Sequence, residues 1–211
     1  MTNVAAKSVR ALRYHLARFA RHAEGLAALE FAIILPVMLV TLFGAVGVTS
    51  AISIDRKVTL VARTLSDLTS QNTAVTDADI NNFFAIGSAM LTPYSAAQNP
   101  ASGGPLKATI TEIYIDPNTG AARVQWSKGD SPRSVGSVLS TMPSDLIGKD
   151  ASNKILSNQY FILSEVSYLY APSILPGFAS VQLKESTYTR PRVTANWYCV
   201  KLNGEATCPT N

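Results

Sequence analysis

Between Phe31 and Ile54 the chain runs for 24 residues without an ionisable side chain. As a helix rising about 1.5 Å per residue, that run spans roughly 36 Å, against about 30 Å of bilayer hydrocarbon. It is long enough to cross a membrane with a modest tilt. Directly before it stands Glu30, the one carboxylate in the otherwise apolar or small stretch Gly25–Ile54. A charge inside such a segment costs on the order of 3 kcal/mol at the centre and less near an end. Position alone leaves two readings of Glu30, a boundary marker at headgroup depth or a group held there for a purpose.

The charge distribution orients the run. The formal charge of the 211 residues is +4, and Lys7, Arg10, Arg13, Arg18 and Arg21 against Glu24 supply all of it before the apolar stretch begins. The remaining chain is neutral, which argues against nucleic-acid binding and makes the basic excess a topology signal. Five basic residues precede the apolar run, whereas Arg56, Lys57 and Arg63 follow it. The expectation is a cytoplasmic N-terminus and an outward-facing remainder. A cleavable signal peptide is the competing reading, since Ala45-Val46-Gly47 offers small residues, but the apolar run exceeds the usual 7–15 residues of such a segment.

Beyond Ile54 the pattern turns from continuous to periodic. Val58, Val61, Ala62, Leu65 and Leu68 recur at helical spacing among Asp55, Arg56, Arg63 and Asp67, and no Gly or Pro interrupts Ala51–Gln71. The helix is therefore expected to continue as an amphipathic one to about Gln71. Residues 4–23 place Val9, Leu12, Leu16, Phe19 and Ala23 on one side, a basic amphipathic helix or an unstructured leader. Thr76 and Asp79 form a capping pattern ahead of a second helix over about 77–92, ended by Pro93, and a loop rich in small residues follows to Pro105. Alternation over Leu106–Ile115, the turn Pro117-Asn118-Thr119-Gly120 and Ala121–Trp126 predict a hairpin. A mobile region over about 127–153, with a short helical turn near Pro143–Ile147, is expected before strands at 155–170 and 180–190.

The stretch Glu24-Gly25, Leu26-Ala27-Ala28-Leu29, Glu30-Phe31 and then an apolar helix containing Pro36 resembles the processing site of type IVb prepilins. It is most similar to the TadE-like pseudopilins of tight-adherence (Flp) pilus systems, because Phe31 stands where major pilin subunits favour tyrosine. Val166-Ser167-Tyr168-Leu169-Tyr170-Ala171-Pro172 and Ser186-Thr187-Tyr188-Thr189-Arg190-Pro191-Arg192 look like the paired terminal strands of those proteins. The resemblance implies cleavage between Gly25 and Leu26 by a prepilin peptidase, and an assembly role for Glu30 and Phe31. It also implies other pilins and pseudopilins and the inner-membrane assembly platform as partners. The expected fold is α+β and pilin-like: a long N-terminal transmembrane helix continues into an amphipathic helix packed on an antiparallel sheet. The expected division is a cytoplasmic leader 1–25, a transmembrane helix 26–54, an amphipathic extension 55–71 and a periplasmic domain 72–211. A single-pass, membrane-anchored periplasmic binding or structural module is the alternative function.

Cys199 and Cys208 lie symmetrically about Asn203-Gly204, the strongest short hairpin signal. In a two-residue hairpin they fall on a non-hydrogen-bonded pair, with Cα atoms about 4.5 Å apart, and in an oxidising compartment they are expected to form a disulfide. The only histidines, His15 and His22, precede the apolar run. The outward domain therefore lacks a Ser-His-Asp or Cys-His site and any histidine-based metal centre. No cofactor, metal or enzymatic activity is expected. Glu112, Asp116, Asp130, Asp145, Asp150, Glu165 and Glu185 read as scattered acids on a solvated face. Asp116-Pro117-Asn118-Thr119-Gly120 resembles the opening of a calcium loop, but Ser127 stands where a closing Glu belongs, and a hairpin turn explains it better.

Overall fold

A computed structural model describes residues 24–92, 106–171, 180–192 and 199–204. The chain divides into two compact units, Met1–Thr49 and Ser50–Asn211. In the first, the described residues belong to helix α1, which the chain forms over Glu24–Ser70. Leu29, Phe31, Ile33, Ile34, Val37, Met38, Val40 and Leu42 are all exposed. A helix apolar on every side suits lipid rather than one protein face. Its polar groups are satisfied locally: the Thr41 and Thr49 hydroxyls donate to the carbonyls of Val37 and Ala45, one turn back. This helix is long and apolar enough to cross a membrane, as the sequence requires.

In the second unit the rest of α1 turns amphipathic. Ile54, Val58, Val61, Ala62 and Leu65 are buried along one stripe, with Ala51 packed beside it. The stripe starts one turn earlier than the periodicity suggested, because Ile54 is apolar and so reads equally well as lipid-facing or core. Strand β1 (Ala74–Val75) leads into helix α2 (Asp77–Met90). Thr76 closes the expected capping box: its hydroxyl accepts from the Asp79 N–H, and the Asp79 carboxylate accepts from the Thr76 N–H at 2.9 Å. Helix α2 buries Ile80, Phe84 and Gly87. At Gly87 a Cβ would stand 3.0 Å from Val61 Cγ1, so the missing side chain lets α2 lie close against α1.

Strands β2 (Leu106–Ile115), β3 (Ala122–Gly129), β4 (Gln159–Tyr170) and β5 (Val181–Thr189) form one antiparallel sheet in the order β3-β2-β4-β5. Leu106, Ala108, Ile110, Trp126, Ile162, Val166 and Tyr168 meet the helices in one core. Ile113, Ile115, Ala122, Phe161 and Leu163 form a second core on the other face, covered by Leu139, Met142, Leu146, Ile147 and Ile155. The fold is thus α+β and pilin-like, as expected, with a sheet covered on both faces.

Two boundaries and one character differ from the sequence reading. Strand β3 continues past Trp126 to Gly129, because Ser127 and Gly129 pair with Thr111 and Thr109 and the Ser127 and Thr111 hydroxyls meet at 2.8 Å. Strand β4 starts at Gln159 rather than 155. Asn153 and Asn158 adopt left-handed φ angles of 62° and 58°, and the Gln159 side chain is bonded to Gly148 and Leu156. The stretch expected to be mobile over 127–153 instead supplies the pad over the second core, with a 3-10 turn at Ser144–Leu146. Apolar residues spaced too irregularly for a helix or strand gave no sign of that packing.

Candidate functional site

The residues singled out by sequence lie at the start of α1. Gly25 and Leu26 lie at the start of its described part. Glu30 and Phe31 follow inside the helix with exposed side chains. Leu26 and Glu30 are four residues apart, about one turn. An amino group created at residue 26 would therefore lie on the same helix face as the Glu30 carboxylate.

At the far end of the chain, residues 199–204 form a short strap. Strand β6 (Lys201–Leu202) pairs in parallel with β1, and the backbone N–H groups of Lys201 and Asn203 donate to the carbonyls of Thr73 and Val75. Asn203 and Gly204 have φ of 50° and 72°, the two positive angles that an Asn-Gly hairpin turn requires. The Asn203 side chain accepts from the Asp77 N–H and donates to the Asp77 carboxylate, both at 2.9 Å. Lys128 adds an ion pair to Asp77 at 2.9 Å, and Lys128 and Asn203 together hold this carboxyl below its usual pKa. The strap thus covers the connection between α1 and α2. Cys208 and the returning half of the expected hairpin lie outside the described residues. Cys199 is buried.

Beneath the strap lies the residue that sequence reasoning misplaced. Glu112 is not on a solvated face: it is fully buried. Its Oε1 accepts from the Val200 N–H at 2.6 Å, and Oε2 lies 3.8 Å from Cys199 Sγ. The Trp126 indole N–H donates to the Val200 carbonyl at 2.7 Å. Burial pushes the Glu112 carboxyl up to about 8, partly offset by hydrogen bonds from Val200 and Trp126. One signal was available. Glu112 shares its strand face with Ile110, a face that must meet the helices once they pack on the sheet.

The other acids do structural work. Asp116 accepts from the Asn118 N–H and the Thr119 hydroxyl, which makes its loop a hairpin turn. Asp130 accepts from the Ala108 N–H at 2.8 Å, and Glu165 is paired with Arg133. Among the described residues no three His, Cys, Asp or Glu side chains cluster so that they could hold a metal ion. A polar groove of about 440 Å³ opens beside Lys107, Thr109, Glu165 and Lys184.

The model of one family, described as TadE-like protein, matches residues 25–65. That segment begins at Gly25, includes Glu30 and Phe31, and ends at Leu65 of the buried stripe. No curated protein and no solved structure matches the chain. Residues 25–65, the segment that carries both the apolar helix and its packed continuation, are thus similar to a TadE-like protein, a match consistent with a TadE-like pilus protein.

Proposed function

We propose that the chain is a prepilin-like minor pseudopilin of a tight-adherence pilus machine. It is processed after Gly25 and acts by helix–helix assembly in pilus biogenesis and adhesion. One observation carries this reading: Gly25, Glu30 and Phe31 head an apolar helix inside the segment that matches the TadE-like family. The apolar helix and the family together describe a membrane-anchored structural protein. The finer placement follows the Lys/Arg bias: bacterial inner membrane, single pass, N-terminus cytoplasmic and sheet domain periplasmic. Because Ile54 and Ala51 pack in the sheet's core, the portion left for lipid is about residues 27–50, which still spans roughly 36 Å.

Its partners are the prepilin peptidase, other pilins and pseudopilins, and the inner-membrane assembly platform. Assembly brings α1 against neighbouring helices, and there Glu30 meets the α-amino group of Leu26 in the next subunit, each charge compensating the other's desolvation. In the periplasm Cys199 and Cys208 are joined, which ties the strap's end to the chain terminus.

The polar groove by Lys107 and Lys184 supports a second reading, a tethered binding module whose helix is only an anchor. Exchanging residues 1–50 for an unrelated transmembrane segment, which leaves Ala51 and Ile54 in the sheet's core, separates the two. A pseudopilin loses pilus formation completely although the sheet domain is still exported, and retention of function in the exchanged protein would favour the tethered module.

A further inference from the structure

We propose that residues 199–204 are a proton-sensitive latch, closed over Glu112 while that side chain is neutral and lifted when it must carry charge. The geometry gives the strap this position. Glu112 is shut off from solvent between the sheet and the strap, and its one backbone hydrogen bond comes from the strap itself, from Val200 N–H. A groove of about 250 Å³ opens beside the strap, lined by Glu112, Trp126, Lys128, Cys199, Val200 and Lys201, among others. Lifting the strap removes the Val200 hydrogen bond and the residues that cover the buried carboxylate.

The charged and titratable groups around Glu112 do not stabilise its anion. Lys128 of β3 is turned to Asp77 of α2 at 2.9 Å, and Lys201 of the strap is exposed. No described Lys or Arg forms an ion pair with Glu112. From β4 comes Tyr160, whose phenol burial pushes up, with Tyr114 and Glu112 adding to the shift, and its ring stacks at a tilt on that of Tyr114 at 5.1 Å. The Cys199 sulfur lies 3.8 Å away. An ionised Glu112 under a closed strap is thus a buried anion without a counter-cation.

The direction of the pH effect follows from linkage. Under the closed strap the carboxyl holds its proton to about pH 8, whereas a hydrated glutamate loses it near 4.5. Closure is fully favoured below the lower value and weakens as pH rises toward the upper one, by about tenfold per pH unit in the open–closed equilibrium between them. The remaining strap contacts, to Thr73, Val75, Asp77 and Trp126, bring no buried acid with them, so the response belongs to Glu112.

The test is amide hydrogen exchange of the full chain in detergent micelles at pH 5.5, 6.5 and 7.5, corrected for the intrinsic rate. In the wild type, protection of peptides covering 199–204 should fall about tenfold per pH unit, while β4 peptides hold theirs. Glu112→Gln keeps an acceptor for Val200 N–H without the titration and should flatten the response; Glu112→Leu removes the titration in another way should the first variant fold poorly. Strap protection in the wild type that does not vary with pH overturns the latch, whatever the variants do. So does a tenfold-per-unit response that survives in a folded variant, or one that β4 shares equally.

Discussion

Replacing Gly129 by alanine should destabilise the sheet domain by about 4 kcal/mol and lower its Tm by roughly 10 °C or more. Gly129 ends β3 opposite Thr109 with φ +136°, in a region that residues with a Cβ rarely enter. A Cβ built there would stand 2.2 Å from the Ala108 carbonyl oxygen and 2.7 Å from Thr109 Cα. Backbone cannot yield as a side chain does, and this backbone is fixed from both sides. The Ala108 carbonyl accepts from the Asp130 N–H at 2.9 Å, and the Ala108 N–H donates to the Asp130 carboxylate. The variant must break that two-point clamp or pull β3 away from β2. Gly136 is the control: its φ is +79°, but nothing lies within 4 Å of the added Cβ, so Gly136→Ala should cost only about 1–2 kcal/mol. Thermal unfolding of both variants checks the contrast, and equal losses would refute the steric account.

Glu30→Ala should leave membrane insertion intact and abolish assembly. Insertion depends on the apolar run that follows, and removing a charge at its head makes entry easier. Assembly is another matter, because the proposed pairing places the Leu26 amino group of one subunit against Glu30 of its neighbour in a desolvated contact. Taking away one partner of a buried pair costs about 3–5 kcal/mol, or roughly two to nearly four powers of ten at each repeated contact. Pili should disappear while the amount of membrane-extracted protein is unchanged. Normal piliation in cells carrying Glu30→Ala would remove the carboxylate from the assembly mechanism.

Legibility in the sequence followed the strength of local rules. The apolar run, the amphipathic continuation of α1, the Thr76 capping box and the Asp116–Ala121 turn each rest on neighbours within a few residues, and all form as read. The paired strands β2, β4 and β5 show their alternation because their residues must face defined layers. Glu112 was misplaced for a physical reason. Its burial depends on a strap 88 residues further along the chain, and no local pattern announces that a distant Val200 N–H will meet it. The pad over Ile113 and Phe161 was hidden in the same way, since Leu139, Leu146 and Ile155 follow no period. Ile54 shows the converse limit: apolar periodicity identifies a covered face but not whether lipid or protein covers it.

Processing is the step on which the proposed function depends. Intact-mass measurement and N-terminal sequencing of the unreduced protein, extracted from membranes of cells with an active prepilin peptidase, test it together. The account predicts a chain beginning at Leu26 and lighter by two hydrogens, the mark of Cys199 joined to Cys208. A chain that still carries Gly25 and the basic leader would contradict it, and two free thiols would remove the disulfide.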